Sequence, residues 1–205
     1  MDLGVGTLGC EGSQMPATAT LPENYPHALN RLVRLTSGEL VRIRPIHPGD
    51  AEKLVAFHDR LSAEAVYRRY FSFHPELSDD EVQHLTTVDY ASRMALVVEY
   101  DERLVAVARY DREPDTEEAE VAFLVADEFQ RRGLGMRLLK DLAVAARAQG
   151  ITTFTAETQA SNRDMIGVFE SSGYSVEASM ESEFVSVRFR IAPLEDRFDA
   201  PVSGS

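Results

Sequence analysis

The stretch Glu120-Val-Ala-Phe-Leu-Val-Ala-Asp-Glu-Phe-Gln-Arg-Arg-Gly-Leu-Gly-Met136 reads as a strand, a glycine-punctuated turn and the start of a helix. Val121, Phe123 and Val125 alternate with Glu120, Ala122 and Leu124 at strand period. Beyond the turn, Leu134, Leu138, Leu142 and Ala145 recur at helix period. The run stops at Gly150, a residue suited to the left-handed position that ends a helix. Between strand and helix, the turn leaves several backbone N–H groups without intrahelical acceptors, and there the helix dipole favours an anion. Gly133 and Gly135 let the backbone turn tightly and approach a ligand closely. The segment therefore suits the phosphates of a cofactor. A plain strand-to-helix connection is the alternative that a short Gly-x-Gly leaves open by itself.

The wider wording narrows the choice. The turn is neither Gly-x-Gly-x-x-Gly nor a phosphate loop followed by Gly-Lys-Ser/Thr. Gln-x-x-Gly-x-Gly after a strand ending at Val125, followed by an amphipathic helix, resembles the acetyl-CoA signature of the GNAT superfamily of N-acetyltransferases. The likeness continues through a strand at 151–158 into Asn162, Met165, Phe169, Gly173 and Tyr174, similar to the superfamily's second cofactor motif. It covers residues 32–191 or so. The resemblance implies an α/β (α+β) fold with a mixed, mostly antiparallel central sheet and helices on both faces. It also implies a sheet that splays between its fourth and fifth strands, here 120–125 and 151–158, to admit the pantetheine arm of acetyl-CoA like an added strand. Backbone groups of Phe123, Leu124 and Val125 are then expected to bond that arm, one N–H polarising the thioester carbonyl. The backbone of Arg131, Arg132, Gly133, Leu134, Gly135 and Met136 is expected to hold the pyrophosphate, and the Asn162 amide to touch the cofactor. Asn162 is equally apt as a helix N-cap. No metal is implied.

Amine acylation needs a proton acceptor, because only about four in ten thousand lysine side chains are neutral at pH 7. Two carboxylates lie on the implied cofactor-flanking strands. Glu120 starts the first, at the place where the superfamily's protein lysine acetyltransferases carry their general base, and partial burial there is expected. Glu157 precedes Asn162 where the ribosomal-protein N-terminal acetyltransferases carry theirs. Either is alternatively a surface strand residue. Phe169 stands where many members have a tyrosine that protonates the leaving thiolate, and phenylalanine has no proton to give. The wording of residues 119–125, with Tyr-Arg-Arg-Tyr-Phe at 67–71 and Ala-Arg-Tyr-Asp-Arg at 108–112, is similar to bacterial Pat-type lysine acetyltransferases. Those often carry a fused sensor domain, for which the 31 residues ahead of the fold leave no room. The resemblance thus implies acetyl transfer to protein lysines, with a small amine or a protein N-terminus as the alternative acceptor. A binding module that keeps CoA affinity without catalysis is the alternative of another class.

The 205 residues, 44% apolar, suit one well-buried core. Residues 1–31 and 193–205 lack periodicity and are expected to be disordered or flexible tails around a domain at 32–192. Cys10 lies in the first tail, so a cysteine acyl-enzyme in the domain is not expected. No signal peptide or membrane span is evident, which points to the cytoplasm. A formal charge of −13 argues against nucleic acid or an anionic membrane as partner and favours a cationic acceptor. Against this background Arg131, Arg132, Arg137 and Lys140 gather near the glycine turn, where phosphates need compensation, or else on a solvated helix face.

The remaining segments read as a hairpin around residues 36–39, a helix capped by Asp50 with Leu54, Phe57 and Leu61, and a second helix from Ser62. A Ser78–Glu81 capping box, paired strands on either side of Asp101-Glu102 and a closing strand at 185–191 follow. Tyr67, Tyr70, Phe71 and Phe73 have the spacing of core aromatics. The five histidines show no metal spacing and are expected at the surface or in local hydrogen bonds.

Overall fold

The structure, a computed structural model, describes residues 21–74 and 76–191. Its first hairpin joins Arg31–Arg34 (β1) to Leu40–Pro45 (β2), with buried Val33 opposite buried Val41. Ahead of it, residues 21–31, expected to belong to a tail, carry described structure. Tyr25 is buried, its hydroxyl donates to the Pro45 carbonyl at 2.9 Å, and its ring meets Tyr90 edge-on. Residues 1–20 and 192–205, Cys10 included, lie outside the described residues.

Three short helices follow: Ala51–His58 (α1), Ala63–Tyr70 (α2) and Asp79–Thr86 (α3). Ser62 and Ser78 cap α2 and α3 as their sequences require, and the Ser78–Glu81 capping box is complete. Asp50 does not cap α1. Its two oxygens are taken by Arg44 in a bidentate pair at 2.7 Å, and it also accepts the His47 N–H at 3.0 Å. A charge-assisted fork outcompetes a cap because both partners are buried and neither can be left unpaired. α1 then stops at His58, leaving Leu61 beyond it.

Arg93–Tyr100 (β3) and Arg103–Arg112 (β4) meet at Asp101 and Glu102, both at positive φ, the two-residue turn that suits strand twist. Glu118–Val125 (β5) pairs antiparallel with β4. The glycine turn leads into Leu134–Ala148 (α4), which ends near Gly150 at φ 76. Thr153–Gln159 (β6), Arg163–Glu170 (α5), Val176–Glu181 (β7) and Phe184–Arg190 (β8) complete the chain. β7 has no counterpart in the sequence reading. It is an edge strand exposed along nearly its whole length, so no apolar alternation marks it.

The eight strands form one sheet in the order β1-β2-β3-β4-β5-β6-β8-β7, antiparallel except for β5 beside β6. Alternation assigns the two faces. Val107, Arg109, Ala122 and Leu124 share a face with α1 and α3. On the other, Tyr110, Phe154, Phe189 and Phe169 form a chain of touching rings that also reaches Phe123, and α4 and α5 cover it. Among the described residues no helix is long and apolar enough to cross a membrane.

Candidate active site

β5 and β6 pair only through Glu118–Thr153, Ala119–Phe154 and Glu120–Thr155. Past Glu120 the strands diverge, so the backbone groups of β5 on that side have no strand partner while β4 continues to pair on the other. A cleft of about 310 Å³ opens there. Phe123, Leu124 and Val125 form one wall, the turn and α4 another, and Asn162 with Val168 of α5 a third. Ala65 and Arg68 of α2 close it from above. α2 is held in place by Ser62, whose hydroxyl and N–H donate to Asp127 at 3.0 and 3.2 Å.

The turn is shaped for an anion. Arg131 and Gly133 both lie at positive φ, 58° and 82°. Gln130 ties the turn to the end of β5 by donating from Nε2 to the Val125 carbonyl at 3.1 Å. The first backbone bond of α4 is Arg137 N–H to the Gly133 carbonyl at 3.1 Å, and no side chain caps the helix. The N–H groups of Leu134, Gly135 and Met136 therefore precede the helical ladder, beside the cleft, at the positive end of a 15-residue helix. Arg131 borders the cleft and is exposed. Arg132 does not serve it: its guanidinium pairs with Glu39 and lies 4.9 Å from the Phe129 ring centre. That contact staples the turn to the β1–β2 hairpin, a role that sequence alone did not disclose. Arg137 and Lys140 are exposed on α4.

Asn162 caps α5, accepting the Met165 N–H at 3.2 Å while its Nδ2 donates to Thr158 at 3.1 Å. Phe169 is 1% exposed and packs between Phe123 and Phe189, away from the cleft. Glu120 and Glu157 lie together, outside the cleft, in a shallow groove shared with Thr155, Ser179, Ser186 and Arg188. Both are exposed, so the expected partial burial of Glu120 does not hold. Glu120 is nonetheless the last residue of β5 paired with β6, at the apex of the divergence.

A family model described as acetyltransferase (GNAT) family matches residues 61–174. The chain belongs to this family. Its members are acetyltransferases that use acetyl-CoA. Similar proteins carry names of the same kind. Acetyltransferase Pat of Mycolicibacterium smegmatis is 33% identical over 144 residues, which are 69% of this chain and 43% of the relative. Acetyltransferase PA5475 of Pseudomonas aeruginosa is 31% identical over 64% of this chain and 73% of its own. The chain thus spans less than half the length of the mycobacterial relative. The crystal structure of the GNAT domain of S. lividans PAT matches at 38% identity and a TM-score of 0.76, covering 81% of this chain and 99% of that one.

Two expectations about the GNAT chain's aromatic and histidine residues fail. Tyr67 and Phe73 are 42% and 87% exposed and are not core: α2 buries Ala65 and Val66, which leaves Tyr67 on its outer side, and Phe73 lies beyond the helix end at Phe71, which takes a left-handed conformation. His58 is neither at the surface nor locally bonded: it is 3% exposed, and both ring nitrogens lack a hydrogen-bond partner among the described residues. Burial, reinforced by nearby His74, holds its pKa below the ordinary imidazole value. Arg109, in the segment 108–112, is also buried and lines a second, smaller cavity together with His58. Helical periodicity places His58 on the inner face of α1 with Leu54, a signal available in the sequence.

Proposed function

We propose that this GNAT acetyltransferase moves the acetyl group of acetyl-CoA to lysine side chains of proteins, by direct attack in a ternary complex. The observation that carries this reading is the end of β5–β6 pairing at Glu120, which opens a cleft onto unpaired amides of the glycine turn on one side and leaves a carboxylate at the apex on the other.

Acetyl-CoA supplies an activated acyl carbon. The amides of Leu134, Gly135 and Met136 bind the pyrophosphate, and the unpaired β5 backbone from Phe123 to Val125 aligns the pantetheine arm. An N–H of that strand stabilises the oxygen that gains charge as the amine attacks. In the transfer, nitrogen bonds to the acyl carbon, the carbon–sulfur bond breaks, and the sulfur leaves with the electron pair. The amine proton passes to Glu120, directly or through water. Phe169 cannot protonate the thiolate, a tolerable leaving group near neutral pH, so solvent does so. The names of the Pat relatives support protein lysine as the acceptor. Glu157, in the same groove, favours a second reading in which the acceptor is a protein N-terminus.

The test is incubation of the purified protein with labelled acetyl-CoA and a cell extract, followed by mapping of the label. Label on lysine Nζ atoms of proteins is expected. Label confined to small amines or to protein N-termini overturns the lysine reading.

A further inference from the structure

On the α1–α3 side of β5 lies a second cavity of about 30 Å³. Ile46, Leu54, Leu85 and Val107 make most of its wall apolar, yet His58 and Arg109 also line it. Neither polar group is satisfied. Among the described residues both His58 nitrogens lack partners, and two rings stand near: Tyr70 at 5.9 Å and His74 at 5.8 Å between centroids. Arg109 is 7% exposed and donates one hydrogen bond, to the Leu85 carbonyl at 3.2 Å. Its Nε has no hydrogen-bond partner among the described residues. Asp111 Oδ2 lies 3.8 Å from that Nε, beyond hydrogen-bond reach, while Oδ1 accepts from Arg93 Nε at 3.0 Å.

A buried cation whose nearest carboxylate, Asp111, stands 3.8 Å away and is shared with Arg93, in one cavity with a buried imidazole that has no partner among the described residues, is held at a cost that a complementary ligand relieves. The complement of a guanidinium fork and a ring nitrogen is a planar carboxylate. Size agrees, since a cavity of about 30 Å³ admits a small polar group of a few atoms. Position agrees too: Phe123 and Leu124 line both this cavity and the cofactor cleft, so the two sites share one stretch of β5.

We propose that Arg109 and His58 form a subsite for a carboxylate carried by one of the two substrates. The carboxylate belongs either to the far end of a dicarboxylic acyl group on CoA or to the acceptor. The inference rests on the reading above, in which the acyl group lies against Phe123–Val125.

Calorimetric titration with succinyl-CoA and butyryl-CoA, four-carbon acyl groups with and without the carboxylate, tests the first source. Initial rates with acetyl-CoA and two peptides that differ only in Glu or Gln beside the acceptor lysine test the second. A preference of about tenfold or more for the carboxylate in one of the pairs is expected, falling below about twofold in Arg109→Met. Should Arg109→Met fail to fold by circular dichroism, His58→Phe, which fills the space with a ring, must abolish the same preference. Absence of preference in both pairs, or its survival in the folded variant, overturns the subsite. Acetyl-CoA, titrated in parallel, separates the two failures: if it too does not bind, the cofactor reading falls first and the subsite with it.

Discussion

At the scale of single residues, Glu120 and Glu157 differ in one respect that matters. They share a groove and are both exposed, but only Glu120 sits where β5 and β6 part, one residue before the β5 backbone loses its β6 partner. We expect Glu120→Gln to lower kcat on a lysine peptide by on the order of 10²–10⁴ at neutral pH and to recover part of it at high pH as the free amine deprotonates. Glu157→Gln should stay within a few-fold of wild type. Matched pH–rate profiles decide between them, and a crippled Glu157 variant assigns the proton acceptor there instead. Phe169 is a second residue with a clear expectation. Packed at 1% exposure between Phe123 and Phe189, it has no line to the cleft. Phe169→Tyr should leave turnover within about threefold, under ~0.7 kcal/mol of barrier. Its new hydroxyl, buried without a partner, should cost about 1–3 kcal/mol of stability in a denaturant melt. A tenfold gain in turnover would reveal a leaving group limited by protonation.

At the scale of elements, α4 and α5 touch beside the cleft that the glycine turn lines. A Cβ at Gly135 would lie 3.2 Å from Val168 Cγ2, so the absence of a side chain at Gly135 lets α5 pack close to the start of α4. Gly133 differs: a Cβ there meets nothing within 4 Å, and its constraint is the φ of 82° that starts α4. Gly135→Val should therefore push α5 outward, weaken acetyl-CoA binding at least about tenfold by calorimetry, and lower the melting temperature without ligand. Arg132→Ala, which removes the staple to Glu39 and leaves the turn's amides in place, should change affinity by no more than about threefold. Equal losses from both would mean that the arginine, not the turn, carries the phosphates. The helix and its glycine turn were legible because period and punctuation are local properties. The Arg132–Glu39 and Ser62–Asp127 ties were not, since each joins residues at least 65 positions apart.

Across the whole molecule, the charge of −13 gives an acidic background to a groove that itself holds Glu120, Glu157 and Glu177. A cationic acceptor should be drawn to it and acetyl-CoA repelled by it. Raising ionic strength from about 0.02 to 0.2 M shrinks the Debye length from roughly 20 to 7 Å. The KM for a lysine-rich peptide should then rise several-fold while that for acetyl-CoA stays level or falls. Steady-state kinetics at several salt concentrations check this, and equal responses of both constants would remove long-range steering from the account.

The sequence by itself determined the strand, turn and helix at 120–148, the cap at Ser78 and the single core, because backbone dihedral preference, hydrophobic period and capping act over a few residues. It also placed both candidate carboxylates on the strands that flank the cleft. Only the tertiary structure decided where β5 and β6 stop pairing, that Arg132 turns to Glu39, that Asp50 serves Arg44 instead of its helix, and that His58 and Arg109 meet in one cavity. Arg132 and Glu39, like His58 and Arg109, are far apart along the chain, and even Arg44 and Asp50, six positions apart, meet only because β2 and the turn after it bury the two charges face to face, which neither hydrophobic period nor capping preference encodes.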